Sequence, residues 1–140
     1  MEELRLMKCK ILTAILSMAL IFGVFGGVTA SARMQYISYF SASCSLNNQT
    51  GIVTISACID GYQNITTNVA IEMQIQYYNN TTGKWVTVDT VYEWFNNWTG
   101  DLVENWLVSP GFSYRGRVFF DAYYYTLCEF TMLDTKSVAY

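Results

Sequence analysis

A strict two-residue alternation late in the chain limits the fold more than any other feature. Tyr114, Gly116, Val118, Phe120 and Ala122 alternate with Arg115, Arg117 and Asp121. Successive side chains of a strand point to opposite faces, so a half-buried strand reads this way and a helix does not. The pattern recurs three times upstream. Phe40, Ala42, Cys44 and Leu46 alternate with serines, and Val53, Ile55, Ala57 and Ile59 alternate with Thr54, Ser56, Cys58 and Asp60. Val69, Ile71, Met73, Ile75 and Tyr77 are interleaved with Glu72, Gln74 and Gln76. Residues 47–51 and 79–83 carry the Asn and Gly of tight turns, the second leading into a return strand at 85–88. Strand character resumes over 102–108, with Trp106 and Val108 on one face, and a last strand is expected around 129–135. Seven or so short strands at this spacing, with no helix after residue 32, predict an all-β, single antiparallel sandwich.

Residues 1–32 have a different character. Arg5, Lys8 and Lys10 precede an apolar run over 11–28, and Ala30-Ser31-Ala32 closes it with small side chains. A basic head, an apolar middle and an A-x-A end are the parts of a secretory signal peptide. The expected division is therefore a signal peptide over 1–32 and a β-sandwich domain over 33–140, secreted and free of the membrane once cleaved. Val28-Thr29-Ala30 offers a second cleavage site, and Met7 offers a second start with a more ordinary head. An uncleaved anchor is the rival reading. Gly23, Gly26 and Gly27 near the end of the run, and the lack of a basic stop-transfer cluster, count against it.

Charge narrows the partners. After Ala32 the chain holds Arg33, Lys84, Arg115, Arg117 and Lys136 against nine acidic residues, none of them in blocks. Nucleic acid demands clustered Lys and Arg, and anionic lipid demands a polybasic patch, so neither is an expected partner. Cys9 would leave with the signal, so Cys44, Cys58 and Cys128 remain, an odd number. The alternation turns Cys44 inward and Cys58 outward, which disfavours a bridge between those two. At most one disulfide can form, and three reduced thiols is an equal reading.

Pro110-Gly111-Phe112-Ser113-Tyr114-Arg115-Gly116-Arg117-Val118 resembles the corner before strand F of fibronectin type III and immunoglobulin-like domains. The resemblance implies an immunoglobulin-like sandwich in which a tyrosine hydroxyl closes the corner onto upstream backbone. There are departures. Ala57 stands where fibronectin modules carry a core Trp, and Gly116 stands where the immunoglobulin B–F disulfide needs a cysteine. A wider likeness rests on Ser31-Ala32-Arg33, Gln35-Tyr36-Ile37-Ser38, Ser41-Ala42-Ser43, Gly51-Ile52-Val53-Thr54-Ile55-Ser56, Trp85 and Tyr114-Arg115. These resemble a family of small exported proteins from Gram-positive bacteria. The likeness implies export, a bacterial source and the fold, and it carries over no activity or functional residue.

Histidine is absent, which removes Ser-His and Cys-His nucleophilic catalysis and the commonest zinc ligand. No C-x-x-C pair and no Gly-rich phosphate loop occurs. No cofactor, metal or catalytic residue is expected. Glu93, Asp101 and Glu104 flank the aromatic stretch over 94–98 and could pair as in a glycosidase, but solvated surface charge is their commoner role. Residues 91–100 break the alternation and read as a loop or an edge. Within them Trp94, Phe95 and Trp98, with Asn96 and Asn97 between, form the candidate binding cluster. Aromatic faces stack on sugar rings and anchor protein interfaces, although in a small sandwich such rings more often plug the core. Arg115 and Arg117 share the outward face of their strand, where a cross-strand ion-pair ladder is the ordinary outcome. Five N-x-S/T sequons (Asn48, Asn64, Asn79, Asn80 and Asn97) carry meaning only in a eukaryotic secretory route. The expected function is non-catalytic extracellular binding to a glycan, cell-wall polymer or protein; the alternative is a structural or self-associating extracellular protein.

Overall fold

The computed structural model describes residues Met34–Tyr140; the expected signal peptide over 1–32 lies outside the described residues. Eight strands follow in order: β1 (Ile37–Asn47), β2 (Ile52–Gly61), β3 (Asn68–Asn79), β4 (Lys84–Phe95), β5 (Thr99–Leu107), β6 (Ser113–Tyr124), β7 (Leu127–Asp134) and the two-residue β8 (Val138–Ala139). All pairings are antiparallel. One sheet runs β1-β2-β5 and the other β4-β3-β6-β7, with β8 on the end of β6. The chain changes sheet between β2 and β3, between β4 and β5, and again between β5 and β6. This is an all-β antiparallel sandwich, as the alternation predicts.

The inner faces hold the residues that the alternation turns inward. Val53, Ile55 and Ile59 of β2, Val69, Ile71, Met73 and Ile75 of β3, and Val118, Phe120 and Ala122 of β6 are each 0–1% exposed. Phe40 reaches from β1 across the sandwich to Phe120, with ring centroids 5.3 Å apart. Burial of this order supplies the main driving force for a domain of this size. Gly116 explains why no cysteine is needed at the B–F position: a Cβ there would lie 2.9 Å from Ile55 Cγ2, so the Ile55 side chain occupies the space between β2 and β6. The three described cysteines are free, with Cys44 half-buried on the inner face and Cys128 exposed. Burial raises the Cys44 thiol above its ordinary pKa, against hydrogen bonds to Thr135 and Gly116.

Two hairpins turn by the same device. Asn47 Oδ1 accepts the amides of Gln49 and Thr50 at 3.0 and 3.3 Å, and Asn79 Oδ1 accepts those of Thr81 and Thr82 at 3.0 and 3.1 Å. Each turn closes on a glycine, Gly51 at φ +68° and Gly83 at φ +66°, whose amide donates to the Asn carbonyl at 2.8 Å. The asparagine side chain replaces lost ladder bonds, and the left-handed conformation selects glycine. The corner before β6 is likewise closed: Tyr114 donates its hydroxyl proton to the Ser109 carbonyl at 2.7 Å.

The irregular stretch 91–100 resolves into three parts. Residues 91–95 continue β4, residues 96–98 form the bend between the sheets, and Thr99-Gly100 open β5. The broken alternation has a local cause. Ile75 pairs with Asp89 while Gln76 pairs with Thr87, so Val88 is an extra residue, a β-bulge that shifts the facing pattern of β4 by one. Before the bulge Trp85 and Thr87 face outward; after it, Thr90, Tyr92 and Trp94 do.

Candidate functional site

The register places a coherent surface on the outer side of the five-stranded sheet. Outward residues of β3 (Asn68, Ala70, Glu72, Gln74, Gln76 and Tyr78) lie between those of β4 and those of β6. On β6 the outward row is Arg115, Arg117, Phe119, Asp121 and Tyr123, and on β7 it is Cys128, Phe130, Met132 and Asp134. The face divides in two across its strands. One half carries Tyr92, Trp94, Phe119, Tyr123, Phe130 and Met132 around Glu72 and Asp121. The other carries Arg115, Arg117, Asp134 and the glutamines.

Trp94 is the centre of the aromatic half. Its pairing partner is Ala70, and Ala70 is 1% exposed although it faces outward, while Trp94 remains 42% exposed. The small side chain leaves room for the indole to lie across β3 and meet Tyr123 of β6, centroids 4.8 Å apart and planes at 48°. Nε1 of Trp94 donates to Asn96 Oδ1 at 2.9 Å, and Asn68 Nδ2 donates to the same oxygen at 3.2 Å. The ring is thereby held at one edge while its face stays open to solvent. Tyr92 (54%), Phe130 (75%) and Met132 (45%) extend the exposed surface on either side. Four strands at about 4.8 Å spacing make it roughly 14 Å wide.

Among the described residues no cation pairs with the two carboxylates of this half. Asp121 pairs with Ala70 on one side and Phe130 on the other. Burial raises its pKa above the ordinary carboxylate value, and the neighbouring Glu72 raises it further. Tyr92 is raised by burial, then by the charges of Asp121, Cys128 and Glu72. Tyr123 is raised strongly, first by burial and then by its hydrogen bond to Cys128, and the Cys128 thiol is itself raised by burial. Glu72 accepts from Gln74 Nε2 at 2.8 Å. The patch is therefore rich in acceptors and negative potential, with no described cation inside it.

The other half is closed on itself. Arg117 grips Asp134 with two bonds, Nε to Oδ1 at 2.7 Å and Nη2 to Oδ2 at 2.9 Å, and Arg115 Nη1 adds a third contact at 3.0 Å. This is the expected cross-strand ladder, and it holds the Asp134 carboxyl below the ordinary range. Arg115 also donates to Gln76 at 2.9 Å and lies 4.4 Å from the Trp85 ring centroid.

The cluster expected from sequence is thus divided. Trp94 and Asn96 come together on the outer face. Phe95 turns inward, packed on the core and against Gly100, where a Cβ would fall 2.4 Å from its ring. Trp98 is half-buried in the bend, its carbonyl accepting from Gly61 at 2.7 Å, and the exposed Asn97 side chain accepts the Trp98 amide at 2.8 Å. Tyr92, Phe119, Asp121, Tyr123 and Phe130 escaped sequence reasoning. Alternation on β6 already turned Asp121 outward, but only cross-strand register sets it beside Trp94. Asp101 and Glu104, three residues apart on β5, project from opposite faces of their sheet and do not converge. Among the described residues no three acidic or thiol groups are grouped to hold a metal ion.

A cleft lies at the other end of the sandwich from the aromatic half. It has a volume of about 640 Å³ and opens between the β3–β4 turn and the corner before β6, lined chiefly by Tyr77, Val88, Trp106, Leu107, Phe112 and Tyr114. Trp106 Nε1 donates to Asp89 Oδ2 at 2.9 Å and ties β5 to β4 beside it.

Comparison with known proteins adds no family: no protein-family model matches the chain, and no curated protein matches its sequence.

Proposed function

We propose that the chain is an exported bacterial protein whose residues 33–140 act outside the cell as a non-catalytic binding module for a polysaccharide. The observation that carries this reading is the outer aromatic half of the five-stranded sheet. A sandwich needs only its inner faces for a core, and here those faces are filled by Ile, Val, Met and Phe120. The outward rings of Tyr92, Trp94 and Phe130 add nothing to that core, and contiguous exposed apolar surface marks an interaction site. Open ring faces on a flat sheet suit the flat faces of pyranose rings, with Glu72 and Asp121 placed to accept hydrogen bonds from hydroxyl or amino groups. Export rests on the basic head, apolar run and A-x-A end of residues 1–32, and the bacterial source on the resemblance described above.

The test is retention of the purified protein on a panel of insoluble polysaccharides and cell walls. Saturable retention on a polymer, weakened by Trp94→Ala in a variant of unchanged melting temperature, supports the reading. Failure on every polymer sinks it.

Self-association is the second reading, and one observation favours it. β7 is an open sheet edge carrying exposed Leu127 (56%), Cys128 and Phe130 (75%). Size-exclusion chromatography with and without reductant separates the two, because a strict monomer in both conditions excludes assembly through this edge.

A further inference from the structure

The outer face sorts its charges in a way that bears on the ligand. The described cations are Lys84, Arg115, Arg117 and Lys136, and all lie away from the aromatic half. Lys84 pairs with Asn79 beside the hairpin turn, Arg115 and Arg117 are locked to Asp134, and Lys136 follows β7. The aromatic half holds Glu72 and Asp121, and no described cation pairs with either. Aromatic faces are themselves the negative ends of ring quadrupoles, and they attract cations within about 6 Å of the centroid. Rings and carboxylates together make a surface complementary to positive charge.

Hydrogen-bonding chemistry points the same way. Ionised carboxylates only accept, so Glu72 and Asp121 need donors, and an ammonium group offers three. An N-acyl group offers one N–H and adds a carbonyl that these acceptors cannot use. From this sorting of charge, and resting on the binding reading above, we infer that the aromatic half takes a glycan bearing free protonated amines in preference to its N-acylated counterpart. The ammonium groups meet Asp121 and Glu72 while the sugar faces lie on Trp94 and Tyr92. A lysine-rich peptide shares the charge but not the repeated flat rings that the exposed faces of Trp94 and Tyr92 can stack on. The acidity of the site has a readable consequence: binding weakens as Asp121 takes up its proton. Glu72 from β3, Tyr92 from β4, Tyr123 of β6 and Cys128 from β7 are the titratable groups facing it, all neutral or negative, so none opposes that direction.

The deciding experiment compares retention of the purified protein on cross-linked chitin beads and on the same beads after de-N-acetylation, which stay insoluble at a pH that keeps the amines protonated. The wild type is expected to bind the deacetylated polymer at least tenfold more tightly, with the preference shrinking as salt rises. Asp121→Asn and Glu72→Gln, made singly so that one folding failure does not end the test, should bring retention down toward the chitin level. Equal binding to both polymers would overturn the amine preference while leaving a glycan site in place. Binding to neither would remove the glycan site itself. A preference that survives both carboxylate substitutions would assign it to overall negative charge and overturn the inference. So would carboxylate-dependent capture on polylysine beads stronger than on the deacetylated polymer, which would make the partner a cationic peptide.

Discussion

The two halves of one sheet face differ more than the two sheets do. They share strands, register and exposure to solvent, yet one is a closed ionic network and the other an uncompensated set of rings and carboxylates. Arg115, Arg117 and Asp134 satisfy one another, with Gln76 and Trp85 taking up the remaining contacts. Asp121 and Glu72 instead raise each other's energy, and large apolar rings around them stay in water. Stability alone would spread the cations over both halves. Local conflicts of this kind concentrate where a surface has a task other than holding the fold.

Breaking each half should therefore do different things. The largest effect expected is on binding: Trp94→Ala should lower affinity for a retaining polysaccharide by at least tenfold, about 1.4 kcal/mol, as measured by depletion isotherms. Trp85, on the same strand before the bulge, is the internal comparison, and Trp85→Ala should leave affinity unchanged. Comparable losses in both would end the distinction between the halves.

Next comes Asp134→Asn, which leaves two guanidinium groups side by side. For a solvent-screened pair the expected loss is about 1 kcal/mol, a fall of roughly 4 °C in melting temperature. The pH dependence fixes its sign. The folded pKa of Asp134 lies below the ordinary 3.8, so the unfolded chain binds more protons between the two values. The ion pair's contribution is full above that interval and lost as pH falls through the folded value. Thermal melts of wild type and variant should thus converge in acid.

Trp85→Ala should cost about 0.5–1 kcal/mol through the lost cation–π contact with Arg115, read by urea denaturation. The smallest effect has the opposite sign. Asp121→Asn should raise stability at neutral pH by ~0.3 kcal/mol, because it removes a like-charge neighbour of Glu72. Here the folded pKa is raised, so the penalty exists above the folded value and disappears as pH falls below the unfolded one. A destabilised Asp121→Asn would show that Asp121 has a structural partner and that the face is not divided as described.

How much of this was legible beforehand differs by element. The four alternating segments became β1, β2, β3 and β6 with their inward residues in the core, because a period of two is written directly into hydrophobicity. The corner tyrosine was legible too, since Pro-Gly followed by Tyr is a local signal. Residues 91–100 were not. One bulged residue, Val88, inverts which side chains face outward, and nothing in the composition of β4 marks a bulge there. Phe95 therefore looked equivalent to Trp94, although one packs inward and the other outward. Trp98 looked like a third member of the cluster and lies in the bend instead.

The sequence by itself determined the sandwich, the inward and outward sets of the regular strands, the turn residues and the shortage of cations. It did so because each is a local property, set by neighbours two to five positions away. Only the tertiary structure decided that Trp94 of β4, Ala70 of β3 and Asp121 of β6 share one row and that the described cations gather at the opposite end. Strand order and register join residues more than fifty positions apart, as Ala70 and Asp121 are, and that pairing is chosen by the packing of the whole core rather than by any segment's own preferences.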